Sequence, residues 1–131
     1  MFISIRTSAV NKIVVTDLTR KLNLGPENVI ARIAFAYSLA KNKKLKLADI
    51  KDSKGKEYNR NVLFGNHFSQ YVSLIAVHYN VYKTDKDVPR YIKLHLDHGL
   101  ELINDEVRRN PNLTGFDFLV DKIESGLKFM V

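Results

Sequence analysis

Cysteine is absent from all 131 residues, which removes disulfide frameworks, thiolate zinc sites, iron–sulfur clusters and cysteine nucleophiles together. That composition fits a reducing compartment, and a cytoplasmic location is expected. Proline (3) and glycine (6) are scarce. So few chain-breaking residues disfavour a many-turned β-sandwich and favour long helices with few interruptions. No stretch approaches the roughly 18 apolar residues that span a bilayer. Residues 1–15 include Arg6 and Lys12, so they lack a signal-peptide core. No membrane partner is expected, and the protein should stay where it is made.

The glycines that bind phosphate in nucleotide enzymes are missing as well. Gly25, Gly55 and Gly65 stand isolated, with neither a G-x-x-x-x-G-K nor a G-x-G-x-x-G pattern around them. There is no nucleophile elbow and no evident Ser–His–acid grouping. The expectation is therefore a protein that is not an enzyme, with no catalytic residues and no cofactor.

What is present is 45% hydrophobic residues, enough for one core in a single domain spanning 1–131. An excess of 21 Lys+Arg over 14 Asp+Glu gives a net charge of +7, which favours polyanionic partners.

Along the chain, residues 2–6 alternate in polarity as a short strand or extended arm would. Helical spacing then begins, with Ser8 placed as N-cap and Ile13, Val14, Leu18 and Leu22 on the apolar side, predicting a helix over 8–22. Asn23 and Gly25 suit a left-handed stop, and Pro26 suits the opening of a second helix over 26–41. That helix is apolar nearly all round, through Val29, Ile30, Ile33, Ala34, Phe35, Tyr37 and Leu39. Such a pattern belongs at the centre of the fold or in a homo-oligomer interface.

Further on, a helix is expected after Gly65 with Asn66 as cap and Phe68, Tyr71, Val72, Leu74, Ile75 and Val77 as its apolar face. Another should follow with Asp87 as cap and Pro89 in its first turn, reaching about Arg109. Gly99 inside it signals close approach of a neighbouring helix or a kink. After Asn110 and Pro111, Phe118, Leu119, Ile123 and Leu127 mark a last amphipathic piece. The sum is an all-α fold of about five helices with at most a short N-terminal strand.

Among the histidines, His95 and His98 stand three apart and could in principle share a metal. The spacing lacks the Glu of the zincin motif, and helical histidines more often cap or pack. His67 and His78 fit core or boundary positions better than ligand positions. Asp85 and Asp87 look like turn and cap residues because a calcium loop needs more oxygen donors. No metal is assigned.

The segment 41–60 differs from its surroundings. It holds eight basic residues against Asp49, Asp52 and Glu57, whereas 97–131 holds four basic and seven acidic ones. Lys51 to Gly55 has turn chemistry, with Gly55 expected to supply a positive φ, so an exposed loop flanked by short ordered pieces is predicted. Two readings of the cluster stand side by side: a solvated face, or a phosphate-binding surface. The candidate contacts are Lys43, Lys44, Lys46, Lys51, Lys54, Lys56 and Arg60, which would bind DNA through its backbone. Lysine predominates over arginine, so base-specific readout is not suggested. The order strand, helix, Gly turn, helix at the front also matches a ribbon-helix-helix transcriptional regulator, kept as the alternative.

Three stretches carry a family resemblance: NVIARIAFAYSL at 28–39, GKEY at 55–58 followed by LFG at 63–65, and KLHLDHG at 93–99. Their order and spacing resemble the DndE family, a component of the bacterial system that replaces a non-bridging oxygen of the DNA backbone with sulfur. The resemblance covers about residues 8–105. It implies a compact, mainly helical, non-catalytic subunit that forms a homotetramer and binds double-stranded, preferably nicked, DNA through surface lysines. It also implies partnership with the sulfur-transferring and ATPase proteins of the same phosphorothioation system. Arg32 in the first stretch has two readings, a DNA contact or, more in keeping with its apolar helix, a structural ion pair.

Overall fold

The structure, a computed structural model, describes residues 4–128. The element order is β1 (Ser4–Arg6), α1 (Ala9–Leu22), α2 (Glu27–Ala40), β2 (Glu57–Asn59), α3 (Arg60–Phe64), α4 (Phe68–Tyr79), α5 (Val88–Arg109) and α6 (Gly115–Lys128). Short 3-10 turns occupy Leu47–Asp49 and Gly65–His67. The expected mostly helical fold with five substantial helices is what forms. Among the described residues, no helix is long and apolar enough to cross a membrane.

Local chemistry sets most boundaries. The Ser8 side chain accepts from the Asn11 amide at the start of α1, and Asn23 closes it in the left-handed region at φ 51°. Pro26 sits one residue earlier than predicted, as the N-cap of α2. Thr114 caps α6 by accepting from the Asp117 amide at 3.0 Å. Pro89 lies in the first turn of α5 as expected, but the Asp87 carboxylate makes no capping bond and pairs with Arg90 at 3.3 Å.

Asn66 is not a helix cap. Asn59 caps the one-and-a-half-turn α3 by accepting from the Asn61 amide, Gly65 then reverses the chain at φ 58°, and α4 starts at Phe68 without a side-chain cap. The positive φ at Gly65 is what separates α3 from α4.

The N-terminal strand has a partner that periodicity did not reveal. β1 pairs antiparallel with β2, with Ser4 opposite Asn59, Ile5 opposite Tyr58 and Arg6 opposite Glu57. The ribbon-helix-helix alternative loses its basis here, because the strand that would pair with a second subunit is paired within its own chain. Phe2 and Ile3 of the expected strand lie outside the described residues.

The centre of the fold is the contact of α2 with α5. Ile30, Ala31, Ala34 and Phe35 face Ile92, Leu96, Leu100 and Ile103, all buried, and burying each large side chain contributes about 1.5–3 kcal/mol. Gly99 permits the approach: a Cβ there would lie 1.8 Å from the Ala34 carbonyl oxygen. An aromatic cluster extends this core, with Phe64 stacked on Tyr71 at 4.6 Å and edge-on to Phe35 at 5.0 Å. α6 docks through Phe118 against Tyr37, while Ile123 is exposed and the Leu127 side chain lies outside the described residues. The predicted apolar faces were too broad elsewhere too. Ile13, Leu74 and Val77 are exposed, and of its expected face α4 fully buries only Val72 and Ile75, together with Ala76.

Candidate nucleic-acid interface

The basic segment between α2 and β2 has little regular structure, yet both of its ends are tied to the core. At the β2 end, Thr7 and Gly55–Lys56 exchange backbone bonds: the Gly55 amide donates to the Thr7 carbonyl at 3.0 Å and the Thr7 amide to the Lys56 carbonyl at 2.9 Å. Gly55 does not supply the expected positive φ. Its role is contact, since a Cβ would fall 2.1 Å from the Ser8 carbonyl oxygen. Asp52 accepts from the Ala9 amide at 2.9 Å and the Lys54 amide at 3.0 Å. Those two backbone donors hold its carboxyl below the usual range.

Beneath this end lies a buried ion pair. Lys93 and Asp97, one turn apart on α5, are 2.8 Å apart with side chains 7% and 4% exposed. The Lys93 ammonium also donates to the carbonyls of Arg6 and Asp52, both at 2.8 Å. Asp97 also accepts from the Ser8 amide and from Asn11 Nδ2. A single cluster thus joins β1, α1, the basic loop and α5.

At the α2 end, the Leu45 amide donates to the Tyr79 hydroxyl at 3.0 Å, and His78 Nε2 lies 2.7 Å from the Lys43 carbonyl. Tyr79 also meets His95 Nε2 at 2.7 Å. Ser38 meets His95 Nδ1 at 2.8 Å and His98 Nδ1 at 2.7 Å. Among the described residues no three His, Cys, Asp or Glu groups converge as metal ligands. His95 is fully buried, and burial, with the neighbouring His78 and His98, pushes its pKa from the ordinary 6.5 to about 4.

That depression makes the fold sensitive to acid. Between about pH 6.5 and 4 the unfolded chain binds a proton at His95 that the folded chain does not, so stability is full above this window and falls through it. The expected loss is about 2–3 kcal/mol by pH 4. Urea midpoints measured from pH 7 to 4 should fall more steeply for the wild type than for His95→Gln.

The structure treats the seven predicted contact residues differently. Lys43, Lys44, Lys46 and Lys54 are exposed and have no ion pair among the described residues. Lys51 pairs with Glu101, and Lys56 lies 3.6 Å from Glu27. Arg60 is half-buried with its guanidinium 5.0 Å from the centre of the Phe68 ring. Arg32 makes no ion pair among the described residues. Its Nε donates to the Leu63 carbonyl at 2.6 Å and its NH2 to the Val62 carbonyl at 3.1 Å, satisfying the free C-terminal carbonyls of α3.

The four exposed, unpaired ammonium groups therefore stand on a loop whose backbone is held at both ends. That arrangement can neutralise backbone phosphates without specifying bases. Sequence reasoning missed the Lys93–Asp97 pair and the Ser38–His95–His98–Tyr79 network. Their signal was the KLHLDHG spacing itself, in which polar residues alternate with leucines along a helix buried on several sides.

Comparison with known proteins agrees with this fold. The sequence profile of the family described as "DNA sulphur modification protein DndE" matches residues 4–110. A crystal structure of DndE from Escherichia coli B7A, described as involved in DNA phosphorothioation modification, superposes with a TM-score of 0.64 at 13% identity. The match covers 79% of this chain and 98% of that one. No curated protein matches by sequence. The stretches at 28–39, 55–65 and 93–99 all fall inside the matched region and build the α2–α5 contact, the Gly55 tie and the Lys93–Asp97 pair. The chain belongs to the DndE family of DNA sulphur modification proteins.

Proposed function

We propose that this chain is the non-catalytic DNA-binding component of a DNA phosphorothioation system. It binds double-stranded DNA, nicked in preference to intact, through Lys43, Lys44, Lys46 and Lys54, with Lys51, Lys56 and Arg60 as flanking contributors. Family membership supports the role in DNA sulfur modification. The observation that carries DNA binding is the set of four exposed lysines without ion pairs on a doubly tied loop.

A preference for nicked DNA follows from mechanics, since a duplex bends at a break for less deformation energy and brings more phosphates within reach. We further propose a homotetramer that acts in the cytoplasm with the sulfur-transferring and ATPase proteins of the system. The tetramer is supported by the exposed apolar side chains of Leu74 and Val77 on α4.

Fluorescence anisotropy with intact and nicked duplexes tests the reading. At about 0.9 per phosphate in the log–log salt slope, four contacts predict a fall of about two orders of magnitude in affinity between 50 and 200 mM salt. Nicked duplex should bind more tightly at every salt concentration. A salt-independent affinity, or none, overturns the reading.

A further inference from the structure

The bonds around Ser38 have a fixed direction. The Tyr79 oxygen accepts the Leu45 amide, so its own proton finds an acceptor at His95 Nε2. Neutral His95 then carries its proton on Nδ1 and donates to Ser38 Oγ, and the Ser38 hydroxyl donates to His98 Nδ1. The reverse direction would leave the half-buried Tyr79 hydroxyl proton without an acceptor. His98 is therefore the Nε2–H tautomer. That Nε2–H has no partner among the described residues and, unlike Asn11 Oδ1 and the Tyr58 hydroxyl, is not a buried orphan.

Three lysines are anchored on the segments that flank this donor. Lys41 follows Ser38 by three residues at the end of α2. Lys43 is held by its carbonyl to His78, whose ring centre is 5.3 Å from that of His95. Lys51 is held by Glu101, which follows His98 by three residues on α5 and is itself neutralised by that pairing. Consistent with this placement, burial and then the charges of Lys43, Lys41 and Lys51 all hold the His98 imidazole below its ordinary pKa. A neutral N–H donor flanked by the lysines at 41 and 43 suits a singly charged phosphodiester oxygen.

We propose that His98 donates its Nε2–H to a DNA backbone phosphate seated between Lys41 and Lys43. This rests on the DNA-binding reading above and adds to it a contact that carries no charge. A neutral donor releases no counterion, so its loss has a different signature from the loss of a lysine.

The test is duplex anisotropy across salt at pH 8 with His98→Ala, His98→Gln and Lys43→Ala. His98→Ala should weaken binding roughly tenfold at every salt concentration with an unchanged slope, as removal of a hydrogen bond to a charged acceptor predicts. His98→Gln, whose amide N–H stands near the position of Nε2, should restore most of the affinity. Lys43→Ala should instead flatten the slope by about 0.9. In the wild-type protein, imidazole nitrogen NMR should report protonated Nε2 at His98 and a shift of that signal when duplex is added.

That NMR measurement decides the matter if His98→Ala fails to fold. Wild-type affinity in a folded His98→Ala, a lysine-like change of slope, or an unmoved Nε2 signal at DNA saturation overturns the seat and leaves loop binding intact. A wild-type protein that binds no duplex overturns both.

Discussion

Replacing Lys43, Lys44, Lys46 and Lys54 together by alanine is expected to lower duplex affinity at 50 mM salt by at least about two orders of magnitude. The salt slope should flatten by about 3.6, from four phosphates at about 0.9 each. The expectation follows from exposure and from the lack of ion pairs at these lysines among the described residues, because an ammonium already paired has less to gain from phosphate. By the same reasoning, Lys51→Ala and Lys56→Ala should each cost less than Lys44→Ala, since Glu101 and Glu27 engage those side chains. The loss should be uniform across DNA sequences, as backbone contact requires. The unfolding free energy from urea titration should stay within about 0.5 kcal/mol of the wild type, as for exposed positions generally. A well-folded quadruple variant with the wild-type slope would show that the cluster is merely a solvated face.

The largest effect on stability is expected at Lys93. Lys93→Met keeps the length of the side chain but leaves the Asp97 carboxylate buried without its cation and the carbonyls of Arg6 and Asp52 without their donor. Removing one partner of a buried pair costs about 3–5 kcal/mol, a large share of the 5–15 kcal/mol typical of a domain. Urea unfolding monitored by circular dichroism reads the change. Exposed Lys86 is a suitable control, and Lys86→Met should leave the midpoint unchanged. A Lys93→Met protein as stable as the wild type would mean that the pair contributes nothing net.

How far the sequence reveals this molecule depends on whether the cause is local. Ser8, Asn23 and Pro26 act within a turn of their own positions, and helix ends were legible there. The close approach at Gly99 was legible too, because an interior glycine has few other reasons to persist in a helix. β2 was not: it is three residues long, alternates in polarity at one position only, and pairs with a strand more than fifty residues away. The lysine cluster was visible as composition, but which lysines are free depends on Glu27 and Glu101, and periodicity does not pair residues across elements. Lys93, Asp97, Ser38 and His95 were hidden for the opposite reason. Charged and polar side chains are read as surface, and only the packing of α5 shows that their partners are inside.

The position of α5 in the chain has a consequence for biosynthesis. This helix completes the interior of α2, receives α1 and β1, and supplies the ion pair that fixes the basic loop. A nascent chain that has emerged only to the end of α4 therefore has its first two helices, the short β1–β2 pair and a loose cationic segment without the element that covers them. Contacts spanning this much sequence delay consolidation through the entropy of loop closure. The exposed stage lasts until α5, ending at Arg109, has left the ribosome. During that interval the apolar face of α2 is open to chaperones or to premature association, and the lysines take up their arrangement only after the interior has closed.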